Sequence, residues 1–133
     1  MTERVLLASE HFRISADDEA RRVRIVRTAK PFGSRAELES AFKAAAEVTR
    51  PFDGCALLLD SRDAPARNDP EFEALFAESR RRLVTRFSPI AVLMKSAIGR
   101  LQAARYARED HVEPHVFEDE ATAIAYLERI RSR

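Results

Sequence analysis

Residues 55–60 read Cys-Ala-Leu-Leu-Leu-Asp, an apolar run set off by Gly54 and stopped by a carboxylate. So short a run does not suit a helix, and a strand with one wet face would alternate apolar with polar residues. A strand covered on both faces meets both conditions. Residues 89–96, Pro-Ile-Ala-Val-Leu-Met-Lys-Ser, repeat the pattern. Strands of this kind belong to sheets with helices packed over them, which demands crossover connections and therefore largely parallel strands.

The intervening segments supply the helices. After Gly33, Ser34 and Glu37 form a capping box, in which each side chain satisfies an orphan backbone N–H at a helix start. Leu38, Phe42, Ala45 and Val48 then recur at helical spacing, and Pro51 sets the end. Asp69 and Pro70 mark a second start as N-cap and first helical residue, followed by an apolar stripe of Phe72, Leu75, Phe76, Leu83 and Phe87. Ser96 can cap a third helix bearing Ile98, Leu101 and Ala104. A short strand around residues 114–119 precedes a fourth, starting near Asp119, with Ile124, Leu127 and Ile130 facing inward.

The N-terminal part has a different period. Residues 11–32 alternate apolar and polar on both sides of a turn-prone Ala16-Asp17-Asp18-Glu19, as a β-hairpin does. Alternation places Val23 and Ile25 on one face and Arg22 and Arg24 on the other, which reads as the wet face. The preceding Val5–Ser9 either extends the first strand or forms its own. The expected fold is α/β: an N-terminal β-hairpin followed by alternating helices and parallel strands, about five strands in one mixed sheet with four helices. One domain over residues 1–133 is expected.

A net charge of +1 creates no overall field calling for nucleic acid or membrane, and a charged fraction of 34% implies a well-solvated surface. The single cysteine, Cys55, excludes an internal disulfide and reads as a small buried apolar residue. The apolar run at Val5–Ala8 is too short for a signal peptide or a membrane span, so a cytoplasmic protein is expected.

The order of elements, the Leu57-Leu58-Leu59-Asp60 strand end, Ile90–Ser96 and the closing residues 115–127 together resemble the STAS-like domains, over nearly the whole chain. These include anti-sigma-factor antagonists and small bacterial proteins similar to them. The resemblance implies a non-enzymatic signalling module that docks on protein partners, in one branch switched by phosphorylation of a serine at the start of the helix after the central strand. No Ser or Thr lies between Ser61 and Ser79, so that switch does not transfer to this chain. Asp60 matches the acidic residue that often ends the central strand in the family.

Open α/β sheets place ligand sites at the carboxyl ends of their strands, which singles out Asp60, Ser61, Arg62, Asp63, Arg67, Asn68 and Asp69 as a partner-binding loop. The bland alternative is a solvated loop whose Asp and Ser side chains bond local backbone. Three expected helices carry acids early and bases late, matching the helix dipole; the third opens with Lys95, Ser96, Gly99 and Arg100 instead. That departure marks a candidate anion site, with an internal ion pair as the plain alternative.

His111 and His115 share a four-residue spacing, but Pro114 argues against the helix that would make them a metal pair, and His11 has no partner evident in sequence. No nucleophile, base and orienting group can be assembled, so no catalytic residue, metal or cofactor is assigned. A protein partner is the leading expectation, a small anionic or amphiphilic ligand the alternative. Val84 and Tyr106 are the apolar residues considered for a homodimer patch.

Overall fold

The computed structural model describes residues 3–65, 69–95 and 115–131. The elements are β1 (Arg4–Ala8), β2 (Phe12–Asp17), β3 (Arg22–Arg27), α1 (Arg35–Thr49), β4 (Ala56–Asp60), α2 (Pro70–Val84), β5 (Ile90–Leu93), β6 (Val116–Phe117) and α3 (Glu120–Arg131). They build one six-stranded sheet in sequence order β1-β2-β3-β4-β5-β6. The first three strands pair antiparallel, and β3 through β6 pair parallel.

The sheet has six strands rather than about five because Arg4–Ala8 turns back at Ser9 and forms its own strand. Its pairing shifts register between Val5 and Leu7, a bulge that lets Leu6 and Leu7 both pack against the core while Val5 stays 73% exposed. Three α-helices are present among the described residues rather than four; the helix expected around Ile98, Leu101 and Ala104 lies outside them.

Both faces of the sheet are covered. Phe12, Ile14, Val23, Ile25 and Leu57 face the side on which α1 and α2 lie, where Leu38, Phe42, Leu83 and Phe87 complete the core. Ala56, Leu58, Ala91 and Leu93 face α3 and meet Ala123, Tyr126 and Leu127. The uniform apolar run of β4 is thus divided residue by residue between two cores, which is why it does not alternate. Val84, considered for a dimer patch, is buried at the close of α2, one residue on from Leu83 in the same core. Tyr106 lies outside the described residues.

The second covered face corrects the reading of Arg22 and Arg24. Neither stands in water: Arg22 is 4% exposed, 3.8 Å from Asp17 and 3.9 Å from Glu128, and the half-buried Arg24 donates to Glu120 at 2.6 Å. Alternation identified the shared face correctly but carries no information on what a helix nearly 100 residues later lays over it.

Local capping follows the sequence closely. Ser34 Oγ accepts from the Glu37 N–H at 3.1 Å, and Glu37 reaches back to the Gly33 N–H, one residue earlier than the usual box. Asp69 Oδ1 accepts from the N–H groups of Glu71 and Phe72, with Pro70 in the first turn. Asp119 accepts from the Thr122 N–H at the start of α3. At the opposite end of the sheet, Arg86 donates to Asp53 at 2.6 Å and to the Ala46 carbonyl at 3.3 Å, placing a cation at the negative end of α1. No helix among the described residues is long and apolar enough to cross a membrane.

Candidate functional site

The parallel order fixes where the loops emerge. β4 and β5 lie side by side with Asp60 opposite Leu93, and the Ser61 N–H donates to the Leu93 carbonyl at 2.9 Å, so the two strands open onto one rim. β3 ends on the same rim, Val26 standing opposite Asp60. Open α/β sheets place their working loops at this edge.

Asp60 organises the start of the loop. Its Oδ1 accepts from the Arg62 backbone N–H at 3.1 Å and from Arg62 Nε at 3.0 Å, while Oδ2 accepts from Nη2 at 2.7 Å. This combines an Asx turn with a two-pronged arginine–carboxylate pair, and both fix direction as well as adding attraction. Ala64 N–H closes the next turn onto the Ser61 carbonyl at 3.2 Å.

A relay of charges ties this exit to the rest of the sheet. Arg62 Nη2 is 3.8 Å from Glu120 Oε1, which also accepts from Arg24 Nη1. Arg24 Nε donates to Glu3 at 3.1 Å, and Glu3 accepts from the Ser15 hydroxyl at 3.2 Å. Half-exposed pairs of this sort contribute at most about 1 kcal/mol each, so their main effect is to hold the loop's departure angle. The sequence does not show this relay, because Glu3, Arg24 and Glu120 are far apart in the chain and meet only through the fold.

The relay leaves a titration signature at Asp60. Burial acts to raise its pKa, but the Arg62 side chain and backbone bonds, with the charges of Arg62 and Arg24, outweigh burial and lower it below 3.8. Burial likewise acts to lower the pKa of Arg24, and its bonds to Glu120 and Glu3 raise it overall. With a depressed folded value, Asp60 stabilises the protein fully above the unfolded value and loses that contribution as pH falls through the folded value. Asp60→Asn should therefore lower the urea midpoint at pH 7 and flatten its decline below about pH 4. Superimposable acid limbs would show that Asp60 carries no such coupling.

Of the residues expected in the loop, Asp60, Ser61 and Arg62 are brought together at its root, Asp63 is exposed beside them, and Asp69 caps α2. Arg67 and Asn68 lie outside the described residues. In the expected anion site, Lys95 is exposed just past the end of β5, while Ser96, Gly99 and Arg100 lie outside the described residues, as does His111. His115 stacks on Tyr126 at 4.3 Å.

The rim also carries a cation that sequence reading passed over. Arg27, the last residue of β3, is 8% exposed, and its guanidinium carbon stands 4.9 Å from the Phe32 ring centre, 5.3 Å from Phe76 and 5.9 Å from Phe12. Nε has no hydrogen-bond acceptor, and burial pushes the pKa down to about 10. Three ring faces offset part of that cost.

Comparison with protein-family models, with curated proteins and with solved structures returns no match for this chain.

Proposed function

We propose that the chain is a STAS-like regulatory or interaction module, without enzymatic activity, that docks a protein partner through the rim where β3, β4 and β5 end. The observation carrying this reading is the Asp60–Arg62 clamp: a loop root fixed by three hydrogen bonds on a rigid parallel sheet, with Asp63, Asp69 and Glu71 exposed beyond it. A fixed root presents a loop in one orientation, which lowers the ordering cost of binding. A mixed sheet in which antiparallel N-terminal strands lead into parallel strands joined by helices supports this reading. The absence of Ser or Thr between Ser61 and Ser79 makes this module one without the family's phosphoserine switch.

Arg62 is a poor probe of docking because it holds Asp60; the exposed acids are better ones. Asp63→Lys and Glu71→Lys are expected to reduce recovery of one specific partner from lysate of the native cells several-fold, since rim charges act on encounter and selection. Glu19→Lys, the same charge change in the turn at the opposite end of β3, should leave recovery intact. Equal recovery by all three variants would exclude the rim as the docking surface.

A further inference from the structure

Independently of docking at the loop, the same edge of the sheet gathers another set of side chains where β2 begins and α1 starts. His11 lies between β1 and β2, 6% exposed, its ring stacked on Phe32 at 4.6 Å with an interplanar angle of 17°. Nε2 is 2.6 Å from Glu37 Oε1, yet it is sealed from solvent without a hydrogen-bond partner. Glu10 brings a carboxylate oxygen to the same place, and the three ligand atoms all lie within 4.8 Å of one another.

Each of the three is held by its backbone or by a neighbour. The Thr28 N–H donates to the His11 carbonyl at 3.0 Å, and the Thr28 hydroxyl donates to the Glu10 carbonyl. Glu37 Oε2 accepts from the Gly33 N–H at 3.1 Å, which leaves Oε1 turned to His11. Gly33 permits this approach, because a Cβ there would sit 2.8 Å from Oε2. Backbone anchoring and ring stacking of this kind fix donor directions before a ligand arrives.

We infer that Glu10, His11 and Glu37 bind one divalent first-row transition ion through His11 Nε2 and one oxygen from each carboxylate, with water completing the coordination. One imidazole and two carboxylates match the donor preferences of zinc- or manganese-class ions; magnesium and calcium favour oxygen alone. Seating an ion about 2 Å from each donor widens the His11–Glu37 contact to roughly 3 Å. It also displaces the exposed Lys30 ammonium, now 3.5 Å from Glu10 Oε2. The bound ion joins the β1–β2 turn to the first turn of α1.

Titrating the whole protein with zinc chloride at neutral pH, by calorimetry and by thermal melting, tests the site. Binding of one ion per chain with a rise in Tm is expected. Glu10→Gln should weaken it by roughly tenfold or more, His11→Ala should abolish it, and Lys30→Gln should strengthen it by freeing Glu10. Absence of saturable binding, or equal binding by the parent and Glu10→Gln, overturns the site. Because Glu10 is exposed, its substitution remains a valid test even if His11→Ala fails to fold.

Discussion

Leu58→Ala is expected to destabilise the protein by about 3 kcal/mol, and Leu57→Ala by a similar amount. The two leucines are neighbours on β4, both fully buried, and their side chains enter different cores. Leu57 packs under α1 and α2; Leu58 packs under α3 with Leu93, Tyr126 and Leu127. Truncation removes the transfer free energy of the lost carbons and leaves a cavity that a sheet fixed by two helical layers cannot fill. Were one face of the sheet wet, one of the two variants would be nearly neutral. Val5→Ala, on the exposed edge strand, should change stability by under about 0.5 kcal/mol. Urea unfolding of the three variants decides the matter, and a Leu58→Ala loss as small as that of Val5→Ala would mean that α3 does not cover the sheet.

Replacing Arg27 has the opposite expected sign: Arg27→Met should stabilise the protein by about 1 kcal/mol. The fall of its pKa to about 10 has a single cause, burial of the guanidinium. At about 1.4 kcal/mol per tenfold, holding the charge costs on the order of 3 kcal/mol. Contacts with Phe12, Phe32 and Phe76 return part of this, at about 0.5–1 kcal/mol or more per ring. Methionine keeps the flexible stem and a polarisable end against the rings while removing the charge. Arginine stays protonated well below its folded value, so the gain should be constant between about pH 5 and 9. A Tm several degrees higher is the expected reading. A lower Tm would mean that the charge at the end of β3 stabilises the fold.

Much of the architecture is written in short-range patterns. The Ser34 and Asp69 caps, Pro70 in the first helical turn, the apolar runs of β4 and β5 and the stripe of α1 all depend on residues a few positions apart. What escapes depends on distant segments. Arg24 meets Glu120 across 96 positions, which turns an expected wet face into a covered one. Val84 reads as a surface residue because helical spacing beyond Leu83 leaves its side undecided, and the structure turns it inward. Arg27 continues the strand's alternation onto the apolar face, where an arginine is not expected.

The loop root is legible as a place but not as a mechanism. Asp60 ends an apolar strand in plain view, whereas its hold on Arg62 and the link through Glu120 to Arg24 exist only once β4, α3 and β3 are adjacent. His11 looks isolated in sequence because its nearest carboxylate on another element, Glu37, stands on a helix whose start is brought beside the β1–β2 turn only by the fold.

Docking at the carboxyl-end rim is tested most directly by placing a photo-reactive amino acid at position 63 or at position 19 in the native cells and identifying what each captures. A discrete adduct with one protein is expected from position 63 and none from position 19. The same adduct from position 19, with none from position 63, would put the working surface at the other end of the sheet and contradict docking at this rim.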